Sequence, residues 1–189
     1  MGQNKALLPF GKVSLLAWMA ERVQAVCGQV SLVGQGIEQA GGVYPVVEDI
    51  FAGQGPLAGI HTVFTHSDAP FNLVVACDMP YLTSEFLSLL LQIAQGGKCD
   101  AVVPESEGFG DEPLCAVYTP ACQAPIEKAL QDRQPKTRGV LDRLRVRRVT
   151  RQEWQPYDSH GKLFCNLNTP EDYHQAYREL IGHSRTSFG

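Results

Sequence analysis

The residues best placed to do chemistry are acids that stop apolar runs. Asn72-Leu73-Val74-Val75-Ala76-Cys77 is an apolar run that ends in Asp78, followed at once by Met79-Pro80. In an open parallel sheet, ligands gather beyond the carboxyl ends of the strands, so an acid at this position is delivered to the crevice. A hard oxygen donor there suits magnesium carrying the phosphates of a nucleotide. The competing reading is that Asp78 caps the turn after the strand. Asp49 repeats the pattern after Val43 to Val47, and the glycine-rich Gly53-Gln54-Gly55-Pro56-Leu57-Ala58-Gly59 follows it. Glycine accepts positive φ and has no side chain, so such a loop lets the backbone come close to a ligand. A plain turn before a helix has the same composition. Lys5, near the first residue, is by itself a solvated surface charge.

Other residue types point away from competing chemistries. The histidines (His61, His66, His160, His174 and His183) lack the HxxxH and HExxH spacings of metal sites. The six cysteines form no CxxC pair and mostly sit in apolar stretches, so neither a metal cluster nor a disulfide framework is expected. A net charge of −4 argues against a general nucleic-acid binder. Basic residues do collect at Lys136, Arg138, Arg143, Arg145, Arg147, Arg148 and Arg151, either to meet the phosphate of an anionic substrate or as a solvated face. No run reaches the roughly 18 apolar residues of a membrane span, and the start lacks the apolar core of a signal peptide, so the expected location is the cytoplasm.

The elements that must position these residues follow from periodicity. Leu15, Leu16, Met19, Val23, Val26 and Cys27 recur at helical spacing, which predicts a helix over 14–27 that Gly28 ends. Short β-branched runs at 30–33, 43–47, 73–77 and 101–103 read as buried strands. Helical patterns at 57–65 and 85–94 lie between them. That alternation predicts a mostly parallel central sheet covered on both faces, a three-layer α/β sandwich of Rossmann-like type. Beyond it, 114–118 and 146–149 read as strands, and 122–130 and 140–144 as helices. Thr169-Pro170-Glu171-Asp172 reads as an N-cap, a first-turn proline and two acids opening a last helix to about 181. With 189 residues and 44% hydrophobic content, one domain over 1–182 and a disordered tail over 183–189 are expected.

The order of these motifs resembles the molybdenum cofactor guanylyltransferase family. Gly2-Gln3-Asn4-Lys5-Ala6-Leu7-Leu8-Pro9-Phe10-Gly11 is similar to the family segment in which Met-Gly precedes a lysine and a short apolar strand. Val47-Glu48-Asp49, Gly55-Pro56-Leu57-Ala58-Gly59, Cys77-Asp78-Met79-Pro80, Glu112-Pro113-Leu114 with Ala116-Val117-Tyr118, and Asn166-Leu167-Asn168-Thr169-Pro170 follow in the family's order. The resemblance implies a nucleotidyltransferase that moves GMP from GTP to molybdopterin and releases pyrophosphate. It implies that Lys5 contacts the GTP phosphates, that Asp49 helps hold the nucleotide, and that Asp78 binds both nucleotide and magnesium. Gly55, Pro56, Leu57, Ala58 and Gly59 would then lie toward guanine. Asn166 and Asn168 match the family's Asn-x-Asn-Thr segment near the metal, a turn-and-cap role being the alternative. GTP and molybdopterin are the implied ligands, a molybdoenzyme or cofactor-biosynthesis protein the implied partner, with no nucleic acid or membrane.

In the family a strand and a Leu-Ala-Gly-Gly loop with Ser-x-Arg come just before the Met-Gly that here is Met1-Gly2. The resemblance therefore implies that this segment lies ahead of Met1, and that without it the sheet has a strand-sized gap and weak GTP binding. Two alternatives stand beside this reading: a sister transferase using CTP or a sugar phosphate, and a non-catalytic remnant that binds without turnover.

Overall fold

The computed structural model describes residues 4–38, 42–108, 110–133 and 136–182. Met1-Gly2-Gln3 of the first motif and the expected tail over 183–189 lie outside them. A 3-10 turn at Lys5–Leu7 leads into the hairpin β1 (Pro9–Phe10) and β2 (Val13–Ser14), then α1 (Leu15–Gln24). β3 (Leu32–Val33), β4 (Val46–Val47), α2 (Pro56–His66), β5 (Asn72–Val75) and α3 (Ser84–Gly96) follow. The second half runs through β6 (Ala101–Ser106), β7 (Gly110–Asp111), β8 (Cys115–Tyr118), α4 (Gln123–Gln131), α5 (Thr137–Leu141), β9 (Val146–Val149), α6 (Arg151–Trp154) and α7 (Pro170–Leu180).

The three layers are visible in the alternation of side chains along the sheet. On β6, Val102 faces one helical layer while Ala101 and Val103 face the other; on β8, Cys115 and Val117 oppose Ala116 and Tyr118 in the same way. The first layer is built on Met19 of α1 and on Phe86, Leu87 and Leu90 of α3. The second is built on Leu57 and Ile60 of α2, Ile126 of α4 and Val140 of α5. Because a strand buried on both faces has no polar side, these strands read as continuous apolar runs.

The expectation of a mostly parallel sheet needs correction. Among the described residues the larger sheet has the order β5-β8-β6-β7 with β9 on β6, and only its β6–β9 pairing is parallel. β8 pairs antiparallel with both β5 and β6. The reason is local: β6 reverses through a short turn into β7 and β8, and a connection that short cannot make the crossover of a dozen residues that parallel neighbours need. β5, β6 and β9 nevertheless point the same way, so their carboxyl ends share one edge.

β3 and β4 pair parallel with each other, apart from the larger sheet. Between β3 and β5 lies a groove of about 420 Å³, lined by Val30, Val33, Asn72, Leu73, Val63 and Leu91 among others.

Candidate active site

Asp78 sits just past β5, as its position after the apolar run requires. Its backbone carbonyl accepts the Leu167 N–H at 2.9 Å, which ties the Asn166-Leu167-Asn168 segment to the end of that strand. Leu167 is buried, while Asn166 and Asn168 on either side of it are exposed. This alternation follows from the extended backbone, in which successive side chains point to opposite sides.

Lys5 reaches the same point from the other end of the chain. Asn4 caps its 3-10 turn, the side-chain oxygen accepting the Ala6 N–H at 3.1 Å. Lys5 Nζ then lies 3.7 Å from Asp78 Oδ2 and donates to Asn168 Oδ1 at 3.1 Å. The Lys5 and Asp78 side chains are 30% and 25% exposed, open enough for a ligand to reach yet shielded enough for their charges to matter. Asn168 is in turn fixed by the start of α7. The Asp172 carboxylate accepts the Asn168 and Thr169 N–H groups, and the Thr169 hydroxyl accepts the Asp172 N–H, forming a capping box. Backbone hydrogen bonding from Thr169 holds the Asp172 carboxyl below its ordinary range. Cys77, beside Asp78, is pushed up to about 11 by burial and then by the Asp78 charge, so it stays a neutral thiol.

Asp49 belongs to a second cluster. The hydroxyl of Thr62 on α2, fully buried, lies 3.0 Å from the Ala58 carbonyl and 3.4 Å from Asp49 Oδ1, and its single hydrogen can be donated to either. Gly59 lies alongside, so that a β-carbon there would come 3.8 Å from Asp49 Oδ1. Gly55, at φ +72°, is the N-cap of α2, and Pro56 opens the helix with no side chain capping its first turn. Pro56 has no N–H and the Ala58 N–H donates to the Gly55 carbonyl at 3.1 Å, which leaves the Leu57 N–H in this turn to meet an anion. Leu57 and Ala58 of the same motif are buried core residues, so any part they take in binding is through the backbone. Among the described residues, no hydrogen bond or ion pair links this cluster to Lys5 and Asp78.

Sequence reasoning missed Asn4 and Thr62. An Asn just ahead of a short helix is a capping signal that could have exposed the first. Nothing in the spacing indicates that Thr62 would face Asp49. Four of the basic residues resolve into ion pairs on the edge of the sheet: Arg145 with Asp100 at 2.6 Å, Arg148 with Asp111 at 2.9 Å, Arg147 with Glu153, and Arg151 with Glu107. Glu112 of the Glu-Pro-Leu motif accepts the Ser106 hydroxyl, and burial raises its carboxyl above the usual range.

Lys5, Asp78 and Asn168 thus meet just past β5, and the Asp49 cluster stands by the start of α2. The family described as MobA-like NTP transferase domain matches residues 1–149. The chain belongs to that family. A MobA-like relative from Pelotomaculum thermopropionicum, described as a probable molybdenum cofactor guanylyltransferase, is 34% identical over 98% of this chain and 89% of the relative. One from Carboxydothermus hydrogenoformans with the same description is 31% identical over 92% and 86%. Among solved structures, a molybdopterin-guanine dinucleotide biosynthesis protein A from Archaeoglobus fulgidus superposes with a TM-score of 0.79 at 27% identity, over 94% of this chain and 91% of that one. The MobA-like fold is thus a nucleotidyltransferase fold. No helix among the described residues is long and apolar enough to cross a membrane.

Proposed function

We propose that this chain transfers GMP from GTP to molybdopterin in the cytoplasm, forming the guanine dinucleotide and releasing pyrophosphate. The observation that carries the proposal is the convergence of Lys5, Asp78 and Asn168 beyond the carboxyl end of β5. The relatives' descriptions support the choice of substrates. An oxygen of the pterin's terminal phosphate attacks the α-phosphorus of GTP. The bond from that phosphorus to the bridging oxygen breaks, and pyrophosphate leaves with the electron pair. Such a reaction depends on positioning and charge neutralisation, without a protein nucleophile.

Lys5, held by Asn168, lies against the phosphates and neutralises charge that grows as pyrophosphate departs. Asp49 and the Gly55 to Gly59 loop hold the nucleoside side. Asp78 fits magnesium: its carboxylate is a hard donor, partly exposed, and among the described residues it pairs with Lys5 alone. One carboxylate suits a cation that keeps water and phosphate oxygens as its other ligands, and no cluster of three or more acidic, His or Cys groups occurs among the described residues. When bound, magnesium supplies neutralisation of the phosphate oxygens. We further propose that the groove between β3 and β5 takes an extended apolar strand that completes the sheet.

Pyrophosphate release from GTP, CTP and ATP in the presence of molybdopterin tests the reading. Release with GTP at least about tenfold faster than with CTP is expected, a difference of about 1.4 kcal/mol in transition-state binding. Preference for CTP would move the chain to the cytidylyl branch, and nucleotide binding without turnover would make it a binding protein.

A further inference from the structure

Once the paired arginines are set aside, three cations of the basic stretch and its approach remain together. Arg133, Lys136 and Arg143 are exposed, have no ion-pair partner among the described residues, and line one cleft of about 340 Å³. Asp132 is the single acid there, and Ala129 and Val140, both buried, form an apolar floor. The surplus positive charge stands out on a chain whose net charge is −4. Arg133 also holds φ +51° at the end of α4, a position where glycine would sit without strain. Keeping an arginine there projects a guanidinium at the cleft's rim.

We infer that this cleft docks a short acidic segment of a partner protein, whose carboxylates meet Arg133, Lys136 and Arg143 while a small apolar side chain rests on Ala129 and Val140. Three long, exposed cations on separate elements, without a buried donor to fix an oxyanion, suit several spaced carboxylates better than one phosphate. The negative net charge disfavours a nucleic acid. Arg138 of α5 lines the neighbouring cleft with Asp111 and Arg148, so a docked partner would sit one short helix from the carboxyl edge of the sheet. Charge complementarity of this kind speeds encounter and weakens with salt. The inference does not depend on which nucleotide the chain uses.

The test is fluorescence anisotropy of a labelled Asp-Glu-Glu-Leu-Glu-Asp peptide on the full chain. The variant combines Arg133→Gly, Lys136→Gln and Arg143→Gln; glycine relieves the positive φ, so the thermal midpoint should hold or rise. Arg151→Gln, at a paired position, is the control. Binding at about 20 mM salt that is largely lost at about 300 mM is expected. It should weaken about tenfold or more in the triple variant and less than about twofold in the control. No binding at low salt, or equal binding by the triple variant, would overturn the inference. So would inorganic phosphate displacing the peptide at comparable concentration, which would make the cleft a phosphate site.

Discussion

Lys5 and Asp78 meet at 3.7 Å although they are 73 positions apart in the sequence, and Lys5 and Asn168 are 163 apart. No periodicity predicts such a contact; the end of an apolar run marked Asp78, the order of motifs marked Lys5 and Asn168, and the fold had to bring them together. Asp78→Asn removes a charge but leaves the backbone carbonyl that accepts from Leu167, so the fold should survive. Transfer is expected to fall at least about a hundredfold, several kcal/mol of lost transition-state stabilisation, with the thermal midpoint nearly unchanged. Near-normal turnover across a magnesium titration would remove Asp78 from the metal's ligands. Asn168→Ala should release Lys5 and raise KM for GTP several-fold, with a smaller change in kcat. A lower midpoint at unchanged kinetics would mean that Asn168 serves only the turn.

At the level of elements, the sequence marked β9 with the bounds the structure has, Val146–Val149, and the cap at Thr169. β3 and β4 came out shorter than their apolar runs, with only two residues pairing in each. The reversal of β8 was illegible, because direction depends on how short the connection after β6 is and not on the hydrophobicity of the strand. α6 was missed as well; a four-residue helix has too few positions to show a period. That helix carries a pH-sensitive contact. Glu153 accepts from Arg147 and from the Thr150 N–H, and Arg147 first, then the backbone bond, lowers its carboxyl to about 2. A depressed carboxyl stabilises the fold above its unfolded value near 4.3 and loses that contribution as pH falls toward 2. The gap in thermal midpoint between the parent chain and Glu153→Gln should therefore be full at neutral pH and shrink below about pH 4. A gap constant across that range would contradict the contact. In the apolar layer, Leu90 is fully buried on α3 beneath the sheet. Leu90→Ala is expected to cost about 2–5 kcal/mol in denaturant unfolding.

For the whole molecule, the three layers were legible because both-face burial leaves long apolar runs. The separation of β3 and β4 from the larger sheet was not legible, because an apolar run does not say which strand it pairs with. If the groove takes a strand, joining an apolar strand and a Leu-Ala-Gly-Gly-x-Ser-x-Arg loop ahead of Met1 should raise the thermal midpoint and tighten GTP binding together. Paired melts and GTP titrations on both forms check this; tight GTP binding and full transfer by the 189-residue chain alone would sink it.

The division of the strands also bears on how the molecule opens. Among the described residues, β3 and β4 form ladder hydrogen bonds only with each other, and packing of side chains such as Leu16, Ala20 and Leu32 holds the pair in place. A unit joined in this way can come loose while the rest stays folded, because few buried contacts need to break at once. Amide protons of Leu32 and Gly34, which donate to Pro45 and Val47, should therefore exchange with solvent far sooner than those of Val102 and Val117, whose release requires the whole sheet to come apart. Asp49 follows β4 and Asp78 follows β5, so the distance between the two acids would then fluctuate with that opening, and a nucleotide spanning them would slow the exchange of β3.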